Sequence, residues 1–575
     1  MGLHKQYLRV GQNAKNRLFG IPPSKRNRIR NEDGTPINML ISEQGKISTG
    51  RLIVIVLGLF TLALGIVLSS IPWLDYLILK HLRLSNGSLS YHYWQRPGVV
   101  RLTKVYVFNI TNPEGFLENG EKPKLVEVGP FVYREDMEKV NIKFHNNGTV
   151  TFQHNKILKF VPELTKSNRD QKVTVPNIPL LSLAAQGEYI YKAAVLAFRL
   201  FRVNAFDTKP FVTVTPEELM FGYEDGIMEK AHKFSAMHLR PPSKMALLIG
   251  RNGTLNEVST IYTGHTNMTE FGLINRINGL DHLSYWKDSP CNSIKASEGS
   301  FFPPRKYTKS DIVHVYDKDL CRILPLRYRR DVFKHGIKAG YYTPTDDALE
   351  SADKNKDNKC FCPKYGDYCP PKGLQNVNPC HFYAPLFLSY PHFYQAEPSL
   401  LDDVEGLKPI REKHETYFKI QDDLGVPLEG FVRVQLNLKV PLTNRISLAS
   451  KFRGIILPVM WLEEGIEDLT PAIQRWIYLA TTFSGTAVPV FTYGFIVLGA
   501  VILVSVFVRA YRNLVFPDES LEIGREMLTR ELRELRRGSS FIINNSPKLL
   551  ILRDSYTLLN NINGEAESDG TNSRV

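Results

Sequence analysis

The chain has 575 residues, of which 43% are hydrophobic and 23% charged, with six cysteines and a formal net charge of +14. The apolar share excludes a disordered chain, and the length excludes a small disulfide-held module. Its basic surplus does not call for nucleic acid, because much of it flanks two long apolar stretches, where topology and anionic lipid account for it.

Residues 1–51 carry Lys5, Arg9, Lys15, Arg17, Lys25, Arg26, Arg28, Arg30, Lys46 and Arg51 and read as a cytosolic tail. From Leu52 to Leu74 no residue is charged; at 1.5 Å per residue the stretch reaches about 34 Å, enough to cross the hydrocarbon layer. A cleaved signal peptide would have to follow a leader containing Glu32, Asp33 and Glu43, and the apolar run is too long for one. Residues 52–74 are therefore expected to span.

Residues 75–484 hold every cysteine and are expected to face the lumen or exterior. Val99 to Ile110, Leu125 to Tyr133, Thr149 to Phe160, Phe431 to Val440 and Ile455 to Trp461 are rich in β-branched and aromatic residues at strand length, which predicts antiparallel strands. Leu180 to Phe206 reads instead as a helix. Its Lys192, Arg199 and Arg202, seven and three apart, fall on one side and form a basic stripe, for which a solvated face is the plain alternative. A second basic segment carries Lys230, His232, Lys233, His238 and Arg240. Neither a repeat nor a dividing linker is evident, so one large unit is expected.

Glycosylation acceptors stand at Asn86, Asn109, Asn147, Asn252 and Asn267, each with Ser or Thr two positions on. Cys291, Cys321, Cys360, Cys362, Cys369 and Cys380 are an even set in an oxidising compartment, which favours three disulfides over a zinc site lacking Cys-x-x-Cys knuckles. Six thiols allow fifteen pairings, and spacing does not choose among them. Enzymatic motifs fail: after His414-Glu415 the second zinc ligand would fall on Phe418, and the calcium-like Asp353-x-Asn355-x-Asp357 has Asn358 and Lys364 where Gly and Glu are needed. No enzyme, cofactor or resident metal is expected.

Between Arg475 and Arg509 there is no Asp, Glu, Lys, Arg or His, and residues 485–508 are expected to form a second span, with 509–575 a second cytosolic tail. Leu521 to Arg537 alternates Glu and Arg at helical spacing and reads as a solvated helix. Beyond it, Asp554 precedes Leu558-Leu559 as in an acidic dileucine signal, and Tyr556 to Leu559 has the form of a tyrosine endocytosis signal, so clathrin adaptors are expected partners. An amphipathic helix at the membrane is the competing reading of those leucines.

Several segments carry a resemblance. Phe108-Asn-Ile-Thr-Asn-Pro113, Val126-Glu-Val-Gly-Pro-Phe-Val-Tyr-Arg-Glu135, Leu283-Ser-Tyr-Trp286, the Cys360-Phe-Cys362 pair, Pro391-His-Phe-Tyr394, Lys413-His-Glu-Thr-Tyr417 and Leu457-Pro-Val-Met-Trp461, in this order between two spans, resemble the class B scavenger receptor family. That family includes lipoprotein and fatty-acid receptors, lysosomal integral membrane proteins and insect sensory-neuron membrane proteins. The resemblance implies an α+β membrane protein: two terminal transmembrane helices flank a disulfide-bonded, glycosylated ectodomain with an antiparallel β-barrel-like core, a helical apex and a hydrophobic tunnel that passes lipid toward the bilayer. It also implies the pairing Cys291 to Cys360, Cys321 to Cys380 and Cys362 to Cys369. Apical basic residues would engage acidic ligands or partner proteins, here Lys192, Arg199 and Arg202, with Lys209, Lys230 and Lys233 added by position.

The expected function is accordingly a receptor for lipids, fatty acids or lipoproteins, at the plasma membrane with both termini cytosolic and cycling to endosomes or lysosomes. A lysosomal-type sorting receptor for a protein is the main alternative; a sensory lipid co-receptor and a two-span channel rank below it. The channel would be an oligomer, and Thr481, Thr482, Ser484 and Thr492 cluster too early to line its pore. A homo-oligomer is also compatible with the receptor reading. Two features depart from the family: the tails offer no cysteine for palmitate, and Gln6 stands where a myristoylation signal needs Ser or Thr.

Overall fold

The computed structural model describes residues 49–189, 209–234, 240–286, 290–308, 310–363, 369–381, 384–439, 452, 454–515 and 518–542. They divide into two compact units, Pro72–Pro489 and the residues on either side of it. The strands are β1 (Arg101–Ile110), β2 (Leu125–Phe144), β3 (Thr149–Phe160), β4 (Val173–Pro176), β5 (Phe211–Val214), β6 (Tyr223–Glu224), β7 (Lys244–Met245), β8 (Gly253–Tyr262), β9 (Ile274–Ile277), β10 (Ile312–Asp317), β11 (Arg322–Lys334), β12 (Ile337–Pro344), β13 (Gln375–Asn376), β14 (Leu386–Ser389), β15 (Tyr417–Gln421), β16 (Val426–Lys439) and β17 (Ile456–Ile466). The longer helices are α1 (Thr49–Ser70), α2 (Trp73–Leu82), α3 (Leu89–Gln95), α4 (Ile178–Tyr189), α5 (Pro216–Phe221), α6 (Gly226–Phe234), α7 (Pro471–Tyr478), α8 (Ser484–Val515) and α9 (Asp518–Ile542).

One antiparallel sheet organises the Pro72–Pro489 unit, in the order β10-β11-β12-β15-β16-β17-β1-β2-β3-β8-β9, with β14 added to β16 and β13 to β14. Its middle strand, β17, is buried along its first eight residues, as a strand covered on both faces must be. β1 shows the alternation of a strand with one deeper face, burying Thr103, Val105 and Val107 in turn.

The two end strands of this order, β9 and β10, are joined to each other through a single short segment. Ile274 N–H donates to Ala296 O at 2.8 Å, Ser297 N–H donates to His314 O at 2.9 Å, and Tyr316 N–H donates to Ser297 O at 2.8 Å. Ser297 thus forms a bridge to Leu273 on one side and to Val315 on the other. The sheet closes on itself, which satisfies backbone groups that an open edge would expose.

Four of the five segments read as strands from the sequence fall on β1, β3, β16 and β17, with boundaries shifted by up to five residues. The fifth is longer than its apolar pattern suggested: β2 continues past Tyr133 to Phe144 through Arg134, Glu135, Asp136, Met137, Glu138 and Lys139. The continuation is charged on both faces. Asp136 meets Arg134 and Lys159 on the outside, while Glu135 and Lys139 are buried on the inside. The helix expected from Leu180 is present as α4 up to Tyr189; its continuation, with Lys192, Arg199 and Arg202, lies outside the described residues.

In the other unit, α1 ends at Ser70 ahead of Pro72, which has no N–H to continue the helix, so the helix covers residues 49–70 where 52–74 was expected. α1 and the run 471–513, which takes in all but the last two residues of α8, are the two described helices long and apolar enough to cross a membrane. Within this unit α1 and α8 meet at small residues: a Cβ on Gly58 would lie 2.9 Å from Ile502, one on Gly65 2.7 Å from Ile496, and one on Gly499 2.6 Å from the Leu62 backbone. α9 begins three residues after the end of α8 and exposes Glu522, Arg525, Glu526, Arg530, Glu531, Arg533 and Glu534, matching the solvated helix expected there.

The Pro391-His392-Phe393-Tyr394 segment holds left-handed backbone at His392 (φ 53°) and Phe393 (φ 56°), unusual for large side chains. Its surroundings fix it. His392 N–H donates to Gln435 Oε1 at 2.7 Å, Lys408 N–H donates to His392 Nδ1 at 3.0 Å, and His392 Nε2 lies 2.6 Å from Glu127 Oε2, which also accepts from Trp461 Nε1 at 2.7 Å. The His392 ring stacks on His414 at 4.4 Å, and His414 Nδ1 accepts from Ile410 N–H at 2.9 Å.

Burial first, and His392 second, lower the His414 pKa to about 4. An unfolded histidine titrates near 6.5, so between pH 6.5 and 4 the unfolded chain takes up a proton that the fold refuses, and stability present at neutral pH is lost across that window. His414→Asn, which keeps an acceptor for Ile410 N–H, is expected to flatten the fall in Tm between pH 6.5 and 4 relative to the parent. Parallel Tm curves for parent and variant would remove His414 from this role.

Candidate functional site

A cavity of about 300 Å³ lies in the Pro72–Pro489 unit, at the lower end of the size range of ligand pockets. Its walls come from strands on both sides of the closing segment, including Met137 on β2, Val315 on β10 and Val426 on β16, with Phe301 just beyond the closure itself. Leu82 of α2, Trp94 of α3, and Ile473, Trp476 and Ile477 of α7 complete the apolar part. In chain order α2 and α3 follow α1, and α7 opens the apolar run 471–513.

Charged side chains also line the cavity, and most of them are paired. Glu135 takes Lys156 at 3.0 Å and Arg101 at 3.6 Å, and Arg251 is ion-paired with both Asp319 and Glu464. Burial alone would push the Glu464 and Asp319 carboxyls up; the Arg251 guanidinium, foremost among nearby cations, holds both below their usual range. For Asp317 the pull of Arg251 is outweighed. Burial, then the charge of Asp319, pushes it up to about 6, although its carboxylate accepts from the backbone N–H of Asp319 and of Leu320. Burial also raises the pKa of Glu257 and depresses that of His154 well below its ordinary value, so the His154 imidazole is neutral at pH 7.

Lys139 is fully buried. Its ammonium donates to Trp94 O at 3.1 Å and Ser300 Oγ at 2.9 Å and lies 4.9 Å from the centre of the Trp94 ring, a cation–π contact. Composition carries no sign of which face such a charge occupies, and the sequence analysis singles out none of these positions as inward. The recoverable signal was the alternation of Glu135, Met137 and Lys139 along a strand.

The remaining predicted residues are spread elsewhere. Lys209 is exposed just before β5, and its carbonyl accepts from Asn177 Nδ2. Lys233 and Lys230 lie on α6, which packs against α4; Lys233 pairs with Glu229 at 2.6 Å and Lys230 is half-buried. Lys192, Arg199, Arg202, Asp554, Tyr556, Leu558 and Leu559 lie outside the described residues. The structure pairs Cys291 with Cys360, Cys321 with Cys380 and Cys362 with Cys369. His381 stands beside the Cys321–Cys380 sulfurs, but these are bonded to each other and are not thiolate ligands. Asn355 of the calcium-like stretch caps the turn Lys356–Phe361.

A closed antiparallel sheet around an apolar cavity, stapled by three disulfides and carried in a chain with two apolar helices, defines a two-span membrane protein with a large β-rich domain. The CD36 family model matches residues 53–510, and the chain belongs to that family. It is 32% identical to scavenger receptor class B member 1 of Rattus norvegicus over 411 residues, covering 71% of this chain and 79% of the relative. It is also 32% identical to lysosome membrane protein 2 of Homo sapiens over 422 residues, 72% of this chain and 85% of the relative. Protein peste of Drosophila melanogaster is 32% identical over 433 residues, 72% of this chain and 75% of the relative.

Arg251→Met would leave Asp319 and Glu464 buried without their shared cation, a change that costs about 3–5 kcal/mol when a buried ion pair is broken from one side. A clear drop in the Tm of the purified chain is the expected result; an unchanged Tm would show that these carboxylates are satisfied without Arg251. Among the glycosylation acceptors, Asn86, Asn147, Asn252 and Asn267 are exposed, whereas Asn109 is half-buried within β1 and accepts from Thr174 N–H at 2.8 Å. Glycopeptide mapping is expected to find glycans at the four exposed positions and none at Asn109.

Proposed function

We propose that this CD36-family protein is a class B scavenger-type receptor that takes the hydrophobic part of a lipid, free or delivered by a lipoprotein, into the cavity of its β-domain and passes it toward the bilayer. Residues 75–484 would face the exterior or lumen, with both tails cytosolic. The observation that carries this reading is the cavity of about 300 Å³, lined by strands of the closed sheet and by the apolar side chains of Leu82, Trp94, Ile473, Trp476 and Ile477. An acyl chain moved from water to such walls gains about 0.8 kcal/mol per methylene, enough to hold a long chain without catalytic groups.

Passage toward the membrane is supported by chain continuity. Ile473, Trp476 and Ile477 line the cavity on α7, and the helical run continues through residues 479–483 into the apolar α8. Leu82 and Trp94 line it shortly after α1. Rat scavenger receptor class B member 1, similar over 71% of this chain, is a scavenger receptor by name, which agrees with this role.

Leu255 lines the cavity and is half-buried, so Leu255→Trp is expected to fill part of it with an indole. Lipid extracted from the purified full chain and counted by mass spectrometry should fall about threefold or more in the variant, with the disulfides intact. Equal lipid content in parent and variant would place bound lipid outside this cavity.

A further inference from the structure

The lipid-cavity reading leaves open which head group the cavity takes, and the closing segment of the sheet bears on that choice. Ser297, which bridges the two end strands, also fixes the turn that follows: its Oγ accepts from Gly299 N–H at 2.9 Å and donates to Phe301 O. Glu298, inside this turn, lines the cavity with a side chain 7% exposed. A carboxylate placed there has little freedom to seek water.

Among the described residues, Glu298 Oε1 accepts no hydrogen bond. The nearest ammonium, Lys139 Nζ, is 3.9 Å away and donates instead to Trp94 O and Ser300 Oγ. His154 Nε2 stands 3.6 Å from Oε2, beyond hydrogen-bond reach. A buried, ionised acceptor in this state is costly, and a donor supplied from the cavity removes that cost.

The sign of the surrounding charge points the same way. Glu257, Glu298, Asp317, Asp319, Glu429 and Glu464 line the cavity against the three cations Arg101, Lys156 and Lys318. Arg101 and Lys156 share Glu135, while Lys318 forms no ion pair among the described residues. Asp319 and Glu464 share Arg251, and Glu429 takes Lys334 and Lys419, so the carboxylates left to repel an anionic head group are Glu257 and Asp317, which form no ion pair among the described residues, and Glu298, whose nearest cationic nitrogens stand 3.6 and 3.9 Å away.

We infer, building on the lipid-cavity reading, that Glu298 is a specificity-determining residue: the cavity takes lipids whose head group donates a hydrogen bond and carries no negative charge, an alcohol or an amine, and rejects the carboxylate of the same chain length. The head group donates to Glu298 Oε1, and the hydrocarbon lies along Trp94, Ile473 and Ile477.

The test uses the full chain in lipid nanodiscs and three photoreactive probes with one octadecyl chain bearing a terminal diazirine and an alcohol, amine or carboxylate head. Labelling of cavity-lining peptides is read by mass spectrometry. In the parent, the alcohol, the amine or both should label about tenfold more than the acid, the ratio corresponding to 1.4 kcal/mol. Glu298→Gln, which removes the charge at constant size, should bring the acid to within about twofold of the alcohol. An acid that labels the parent as well as the alcohol does, above all if this labelling is lost in Lys318→Gln, overturns the inference. So does a ratio unchanged by Glu298→Gln in a variant that keeps the parent's Tm. The parent's own ratio decides the matter if that variant does not fold. If no probe labels the cavity while the disulfides are intact, the lipid-cavity reading itself fails and the head-group inference falls with it.

Discussion

The closure of the sheet at Ala296 and Ser297 is the constraint on which the rest of the large unit depends. Three backbone hydrogen bonds, all between 2.8 and 2.9 Å, convert an open order of strands into a closed wall. An open sheet has an inner face that must be filled by side chains or covered by helices; a closed one can keep space inside. The cavity, the inward charges and the position of Glu298 are consequences of that closure.

Charge inside such a wall is tolerated only with close compensation. Lys139, Lys156, Arg101 and Arg251 are matched with Glu298, Glu135, Asp319 and Glu464 at distances of up to 3.9 Å, so most of the polar wall is neutral by pairs. A fully apolar interior would hold hydrocarbon at least as well. The paired charges therefore make sense as a means of distinguishing one end of an amphiphile from the other, beside the apolar side chains that α2, α3 and α7 contribute to the same cavity.

Much of this was legible in the sequence, and the reasons for the rest are physical. The two apolar helices announce themselves because hydrocarbon-crossing segments tolerate no charge over about 20 residues. β1, β3, β16 and β17 follow from apolar alternation. β2 was read only as far as Tyr133, because beyond it inward and outward positions are both charged and the contrast that marks a strand disappears. The closing segment had no pattern at all: Ala296 and Ser297 are small, and their role is set by backbone groups whose partners lie on distant strands. Glu298 was missed for the same reason, since nothing local distinguishes a carboxylate turned inward from one turned to water. The family resemblance supplied what spacing could not, including the barrel-like closure of the core and the disulfide pairing.

The glycines of the smaller unit have a consequence for how copies of this protein meet. Gly58, Gly65 and Gly499 are already covered by Ile502, Ile496 and Leu62 of the same chain. In lipid, close approach at small residues is the main source of specific helix pairing, because hydrocarbon competes equally with larger apolar side chains. These glycines are occupied internally. The two helices form a ready-made hairpin whose outward surface is dominated by Leu, Ile, Val and Phe, such as Leu57, Phe60, Val497 and Val501, which lipid chains solvate as well as a neighbour does. On α8, Gly494 meets no atom within 4 Å, so a close approach by another helix would have to use that face and not the glycines already covered.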